Sequence, residues 1–153
     1  MLKEGSKAPA FSLVSDTDVK VSLKDFKGQT VIVYFYPKDL TPGCTQQACE
    51  FRDSAKALGK LDVVVLGISR DPVGTHRKFK EKFKLPFALL SDEEGKACAA
   101  YGVWQEKSLY GRKFMGIVRT TFVIGPDGRI ARIFPKVKVK GHVAQVLEAV
   151  QSL

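Results

Sequence analysis

Two continuous apolar runs of strand length dominate the hydrophobic pattern of the chain. Residues 30–36 and 62–68 are rich in valine and isoleucine, a pattern typical of strands that are buried on both faces of a sheet. Between them, apolar side chains recur at intervals of 3, 4 and 3 residues from Ala48 to Leu58, which predicts a helix over 46–60. Strand, helix and strand in this order predict a parallel crossover at the centre of the fold.

Hairpin patterns flank this central unit. Residues 11–13 and 19–23 alternate apolar with polar side chains and predict an amino-terminal β-hairpin that lies on the surface as a flap. Residues 118–124 and 129–134 flank a Gly-Pro-Asp-Gly turn and predict an antiparallel hairpin. Together these units predict one three-layer α/β domain over 1–153, with a central mixed β-sheet flanked by helices. The remaining predicted elements are helices over 71–83, with Asp71 as N-cap, over 92–101 and from Val143 to Val150, a strand over 87–90, and an aromatic loop over 104–115.

The composition restricts the class of protein. With 153 residues, 44% of them hydrophobic, the chain has the length of one domain and enough apolar material to fold without disulfides. Its apolar runs fall well short of the ~18 residues of a membrane-spanning helix, and its start lacks the apolar stretch of a secretory signal. We therefore expect a cytoplasmic protein with no membrane segment, whose three cysteines begin as thiols.

Basic residues are concentrated in the second half of the chain. The net charge is +9, and residues 77–153 hold 15 of the 25 basic side chains but 7 of the 16 acidic ones. The densest basic run, 77–84, places Phe79 and Phe83 four residues apart, which predicts an amphipathic helix with a solvated basic face. Because no recognition motif accompanies the charge, a nucleic-acid-binding module is the weaker interpretation and no nucleic-acid partner is expected.

Cys44 is the strongest candidate for chemistry. It follows the first buried strand through the loop 37–43 and opens the next helix, at the sheet edge where α/β proteins place their reactive crevices. The free amides and positive end of a helix favour the nucleophilic thiolate. Pro42 restricts the loop, Gly43 lets the backbone approach a small substrate, and Thr41 adds a hydroxyl group nearby. Alternatively, Cys44 is a small hydrophobe that continues the apolar face of the helix.

Cys49 forms a conditional pair with Cys44. Two helical residues five apart have Cα atoms roughly 8.7 Å from each other and point about 140° apart, whereas a disulfide requires a separation below ~7 Å. A bond between them therefore requires the first turns of the helix to unwind. Cys49 lies on the wetter flank of the helix with Arg52, Asp53 and Lys56, so unwinding would not pull a core residue through the interior.

Two other uses of cysteine are weaker. A Cys-x₄-Cys pair lacks the four ligands of a structural zinc site, and neither His76 nor His142 lies at ligand spacing, so no metal is expected. A Cys/His hydrolase stays open in principle, because folding can bring a histidine base to a cysteine. However, His76 shares a face with Phe79 and Phe83, which favours a structural role, and His142 begins the last helix.

The loop and the cysteine spacing resemble those of the peroxiredoxins, specifically the peroxiredoxin Q or bacterioferritin comigratory protein group. The resemblance is carried by Pro-Lys-Asp-Leu-Thr-Pro-Gly-Cys-Thr at 37–45, Cys49, and Phe-Arg-Asp at 51–53, with weaker matches such as Arg-Thr-Thr-Phe at 119–122 along nearly the whole chain. It implies a thioredoxin-like fold and thiol-dependent reduction of hydrogen peroxide and organic hydroperoxides. It further implies a monomer that uses no metal, haem or flavin cofactor.

The same resemblance assigns roles to individual residues. Cys44 corresponds to the peroxidatic cysteine, Cys49 to the resolving cysteine, Thr41 and Arg119 to active-site partners, and Pro37 to a proline that shields the site. The resemblance also implies a cycle in which Cys44 becomes a sulfenic acid, bonds to Cys49 and is reduced by a thioredoxin-like donor. Thr41, Arg119 and the nearby amides are the donors expected to stabilise charge on the departing oxygen.

Several alternatives remain at this stage. A protein thiol-disulfide oxidoreductase would ordinarily carry Cys-x-x-Cys, which is shorter than the present spacing. Composition alone would make Arg119 a solvated strand residue, although alternation places it opposite Val118, Thr120 and Phe122. Cys98 is expected to be a buried, inert thiol, with a second resolving cysteine as the alternative.

Overall fold

A seven-stranded mixed β-sheet forms the centre of the protein in a computed structural model that describes residues 2–153. The elements are β1 (Ser12–Ser15), β2 (Lys20–Ser22), a 3-10 turn (Leu23–Phe26), β3 (Thr30–Phe35), α1 (Pro42–Asp53), α2 (Ala55–Lys60), β4 (Val63–Ser69), α3 (Val73–Phe83), β5 (Ala88–Ser91), α4 (Lys96–Ala100), β6 (Trp104–Leu109), β7 (Arg112–Ile117), β8 (Thr120–Ile124), β9 (Ile130–Phe134) and α5 (His142–Gln151). The strand order is β2-β1-β5-β4-β3-β8-β9. Strand β3 pairs in parallel with β4 and antiparallel with β8, which confirms the predicted crossover and mixed sheet.

The side chains of β3 alternate between two cores. Val31, Val33 and Phe35 enter the core shared with α4 and the amino-terminal segment. Ile32 and Tyr34 enter the core shared with α1, α2, α3 and α5. Both faces of the central strands are therefore buried, as their continuous apolar sequences predict. No helix in the described range 2–153 has the length and apolar character needed to span a membrane.

The amino-terminal hairpin is not a free flap. Strand β1 pairs antiparallel with β5, with Val14 opposite Ser91 and Ser15 opposite Leu90. The hairpin therefore extends the edge of the main sheet, because β1 completes the hydrogen bonding of a strand that would otherwise be exposed.

The predicted loop over 104–115 is also wrong, since strands β6 and β7 pair along this stretch as a separate hairpin. Tyr110 and Gly111 turn the chain with φ angles of 50° and 78°, the left-handed pair that tight hairpins require. Most side chains of the two strands are exposed. The apolar alternation that signals a half-buried strand is consequently missing.

The predicted helices differ from the structure at their ends. The single helix predicted over 46–60 is two helices in the structure. Helix α1 begins at Pro42, four residues earlier than predicted, and ends before Ser54, after which α2 begins. Helix α4 is shorter than predicted, since the Asp92 carboxylate accepts hydrogen bonds from the amides of Ala97 and Cys98 and remains outside the helix. Helix α3 begins at Val73, with no side-chain cap from Asp71.

Candidate active site

Cys44 is the third residue of α1, directly behind the loop that leaves β3. Thr41 is the N-cap residue in an extended conformation, and its side chain makes no capping hydrogen bond. The amides of Gly43 and Cys44 therefore face the end of the helix without an intrahelical acceptor. The Cys44 residue is only 1% exposed and packs in the core with Ala48 and Phe51. Cys44 thus both continues the apolar face and places its sulfur at the positive helix end.

Arg119, the residue directly before β8, reaches this sulfur. Its Nη2 donates to Cys44 Sγ at 3.4 Å, while its Nη1 donates to Gln47 Oε1 at 2.6 Å. The Arg119 carbonyl accepts a hydrogen bond from the Val137 amide at 2.8 Å, which fixes the backbone as well. Arg119 is therefore a hydrogen-bond partner of Cys44 whose position is fixed by Gln47, and not a solvated strand residue.

Gln47 is a site residue that the sequence reasoning missed. It is fully buried one helical turn after Cys44 and accepts from Arg119. The available signal was its spacing, because residues three apart share a helix face. A polar amide on the otherwise apolar face of α1 marks a position where the fold requires a hydrogen-bond partner.

Gly43 permits the close approach of Arg119. A Cβ atom added there would lie 3.2 Å from Arg119 Nη2, which is tighter than an ordinary van der Waals contact. The absence of a Cβ atom at Gly43 therefore leaves space for the guanidinium group, and the expected approach of a small substrate to this backbone stays a prediction. Pro42 is exposed at the first helical position, where its missing N–H costs no hydrogen bond. Pro37 is half-buried where β3 ends, and its shielding role stays a prediction.

Thr41 uses its hydroxyl hydrogen within the loop. Its Oγ1 donates to the Lys38 carbonyl at 2.8 Å. The hydroxyl hydrogen is thus directed at the loop, and the expected donor role toward a departing oxygen stays a prediction. The lone pairs of Oγ1 remain able to accept a hydrogen bond from the O–H group of a substrate.

The three cysteines are free thiols in two different environments. Cys44 and half-buried Cys49 lie in the continuous helix α1, as predicted for a pair that requires unwinding before it can bond. Cys98 is fully buried in the core on the opposite face of the sheet. Burial, together with the neighbouring Asp92 carboxylate, raises the pKa of the Cys98 thiol. The expected burial of Cys98 is confirmed, and its inertness stays a prediction.

Neither histidine is a hydrogen-bond partner of Cys44. His76 is fully buried and bonds through Nδ1 to Asp39 Oδ2 at 2.6 Å. His142 Nε2 lies 2.8 Å from Thr121 Oγ1. Burial, and then the positive charge of Arg119, lower the pKa of His142 to about 4. The side chains therefore provide no Cys/His pair of the kind that a hydrolase uses.

A cluster outside the cysteines has the spacing of a metal site. Single ligand atoms of Asp39, Asp71 and His76 lie within 4.8 Å of one another. These atoms already bond to each other or to neighbours, since Asp71 Oδ2 accepts from the Asp39 amide and from the Ser69 hydroxyl group. The cluster is a hydrogen-bond network, and it was not foreseen from the sequence.

Comparisons with known proteins find relatives along nearly the whole chain. Residues 5–133 match the AhpC/TSA family. The chain is 53% identical over 146 residues to a putative peroxiredoxin Bcp of Coxiella burnetii, covering 95% of this chain and 97% of that protein. It is 48% identical over 149 residues to the peroxiredoxin Bcp of Bacillus subtilis, covering 97% and 95%.

The fold comparison gives the same result. The structure of the bacterioferritin comigratory protein of Xanthomonas campestris superposes with a TM-score of 0.90 at 34% identity, covering 99% of this chain and 97% of that one. That structure concerns alkyl peroxide reduction and was determined as a trapped intermediate and ligand complex. The similarity confirms the expected thioredoxin-like fold.

Proposed function

The chain belongs to the AhpC/TSA family as a thiol-dependent peroxidase of the Bcp peroxiredoxin group, and we propose that Cys44 is its peroxidatic cysteine and Cys49 its resolving cysteine. The observation that carries the assignment is the 3.4 Å contact between Arg119 Nη2 and Cys44 Sγ at a helix N-terminus. A guanidinium group and free amides both favour the thiolate, which is the reactive form.

In the first step the Cys44 thiolate attacks one oxygen of the peroxide. An S–O bond forms and the O–O bond breaks, so that two electrons pass from sulfur to the peroxide. The leaving oxygen takes up a proton and departs as water or an alcohol, while Cys44 becomes a sulfenic acid. Arg119 and the Gly43 amide are the donors for the charge that develops on this oxygen. Thr41 Oγ1 is the acceptor for the peroxide O–H group.

In the second step Cys49 attacks the oxidised sulfur. An S–S bond forms, and the sulfenic oxygen leaves with a proton as water. The first turns of α1 open beforehand, because a helix holds the two Cα atoms roughly 8.7 Å apart.

The disulfide returns to two thiols with two electrons and two protons from a thioredoxin-like donor. Hydrogen peroxide and organic hydroperoxides are the proposed substrates, and the alkyl peroxide reduction of the Xanthomonas campestris protein supports the second class. We place the enzyme in the cytoplasm as a monomer. Both cysteines lie in one helix, so resolution takes place within one chain.

The two other functions considered from the sequence are not favoured. A protein thiol-disulfide oxidoreductase and a nucleic-acid-binding module both lack support from relatives that are 48% to 53% identical and are named peroxiredoxins. The charge excess is then a property of the surface, where it attracts anions without a specific partner.

Peroxide consumption coupled to a thioredoxin system tests the proposal. We expect Cys44→Ser to lose all turnover, because no other thiol has the Arg119 contact. Cys49→Ser should consume one equivalent of peroxide and then turn over only with an external thiol. Cys98→Ser is the matched control and should retain parental activity. A parental disulfide from Cys44 to Cys98, found by mass spectrometry, would reject Cys49 as the resolving residue.

A further inference from the structure

A buried polar network surrounds Asp39, which lies five residues before Cys44. The Asp39 side chain has no solvent exposure. Its Oδ1 accepts from the Tyr36 hydroxyl at 2.5 Å, and its Oδ2 lies 2.6 Å from His76 Nδ1. Its amide donates to Asp71 Oδ2 at 2.9 Å. Hydrogen bonds to both carboxylate oxygens and from the backbone amide therefore fix the position of Asp39.

The positions of the hydrogens in this network can be inferred from the atoms that accept them. His76 Nε2 lies 3.0 Å from the Leu90 carbonyl, which only accepts, so Nε2 carries a hydrogen. Burial, and then the Asp39 charge, raise the pKa of Tyr36, so its hydroxyl group stays protonated and donates. The 2.6 Å separation of Asp39 Oδ2 and His76 Nδ1 is a hydrogen-bond distance, so a hydrogen lies between these two atoms. Removing either member leaves a buried partner unsatisfied.

This network supports the turn that carries the active-site groups. Leu40, directly after Asp39, has a φ angle of 64°, a left-handed conformation that a branched residue adopts only when its surroundings hold it there. Lys38, directly before Asp39, supplies the carbonyl that binds the Thr41 hydroxyl group. The position of Asp39 thus determines the path of the chain on both of its sides.

Helix α3 is the element to which the loop is tied. His76 lies in α3, and a second tie joins the other end of α1 to the same helix, where Arg52 Nη1 donates to the Phe83 carbonyl at 2.8 Å. The segment between Asp39 and Arg52 contains both reactive cysteines. Its two ends are therefore attached to one helix, on which neither cysteine lies.

We propose that Asp39 and His76 are a positioning pair for the peroxide step. The pair holds the 38–41 turn on α3, so that the first turn of α1 presents Cys44 to Arg119. The effect on the reacting sulfur passes through this turn, since neither side chain is hydrogen-bonded to Cys44, whose hydrogen-bond partner is Arg119. The proposal rests on the role of Cys44 proposed above, and it does not depend on the role of Cys49.

The test uses the Cys49→Ser protein, in which only the first oxidation of Cys44 occurs. The second-order rate constant with hydrogen peroxide is measured by competition with a haem peroxidase. We expect Asp39→Asn and His76→Gln each to lower it at least tenfold and to shift the pH profile of Cys44 alkylation toward higher pH. The double variant should lose no more than about twofold beyond the slower single variant, because residues that act as a unit are not additive.

Two control variants separate positioning from stability. Leu85→Ala truncates a buried side chain and should lower the melting temperature while the rate constant stays at the parental value. Arg52→Gln removes the other tie to α3 and should also leave the peroxide step unchanged. If the two main variants lose only stability, as Leu85→Ala does, the pair is merely structural and the proposal is wrong.

A milder variant keeps the test decisive if the two main variants do not fold. Tyr36→Phe deletes one hydrogen bond to Asp39, and a threefold or greater loss of rate supports the proposal, whereas a parental rate overturns it. Failure of the proposed function is distinguishable, because the Cys49→Ser protein itself would then consume no peroxide. In that case the positioning role falls together with the role of Cys44.

Discussion

Arg119 and Gln47 are joined by a 2.6 Å hydrogen bond between residues 72 positions apart in the sequence. The bond fixes one arm of the guanidinium group, so that the other arm meets the Cys44 sulfur. Gln47 is fully buried, and no solvent competes for its oxygen. A neutral acceptor leaves the positive charge of Arg119 available to the Cys44 sulfur.

Replacing Gln47 should weaken the peroxide step. Gln47→Met keeps the side-chain length and removes the acceptor, and we expect the rate constant with hydrogen peroxide to fall about 10- to 100-fold, because a misplaced catalytic group costs this much. Stopped-flow measurement in the Cys49→Ser protein reports this step alone. Gln46→Met, at the exposed neighbouring position, is the control and should react at the parental rate. Equal rates for the two variants would contradict the role of Gln47.

A methyl group at Gly43 should displace Arg119. We expect Gly43→Ala to slow the reaction with peroxide about tenfold, while thermal stability stays the same or rises, since alanine favours a helix over glycine by roughly 1 kcal/mol. Gly74→Ala is a matched control, because Gly74 is also the second residue of its helix and has open space around its Cα. The two variants should differ in rate and agree in stability. A normal rate for Gly43→Ala would show that Arg119 moves without cost.

His142 should make the fold sensitive to acid. Its pKa is about 4 in the folded protein, below the ordinary value of about 6.5. The unfolded chain therefore binds a proton at a higher pH than the folded chain does, so stability is lost as pH falls from about 6.5 to about 4.

The measurement is urea unfolding at pH 7 and pH 5. We expect the loss of unfolding free energy between these values to be about 1 to 2 kcal/mol smaller in His142→Gln than in the parent. An identical loss in both proteins would mean that His142 does not titrate in this way.

Gly67 should tolerate no side chain. A Cβ atom there would lie 2.9 Å from the Cζ and hydroxyl oxygen of Tyr34 and 3.0 Å from Leu89 Cδ2. Tyr34 and Leu89 are fully buried and have no room to move, so we expect Gly67→Ala to cost about 1 to 3 kcal/mol of unfolding free energy. Gly59→Ala, in an exposed helical position with open space, should instead stabilise the protein slightly. Chemical unfolding of the two variants should give changes of opposite sign.

The parts of the fold that depend on local pattern were predictable. The buried strands β3 and β4 follow from continuous apolar runs, because such runs satisfy both faces of a sheet. The N-terminal position of Cys44 follows from Pro42 and Gly43 in front of it. Arg119 shares the side of β8 with residues that face α1, as the alternation along the strand requires.

The parts that depend on contacts between distant segments were not predictable. The contact of Gln47 with Arg119, and that of Asp39 with His76 37 positions later, exist only after packing brings two elements together. Strands β6 and β7 were not predicted for a different reason. Most of their side chains face solvent, so their sequences show no apolar alternation. The break at Ser54 likewise falls within a regular apolar pattern that continues on both sides.

Helix α1 keeps Cys49 away from Cys44 for as long as its first turns persist. In the proposed cycle, the lifetime of the Cys44 sulfenic acid is therefore set by how often these turns open. A second peroxide molecule that arrives during this interval converts the sulfur to a sulfinic acid, which an ordinary thiol cannot reverse. The local free energy of one helical turn thus sets the peroxide concentration at which the enzyme is inactivated by its own substrate.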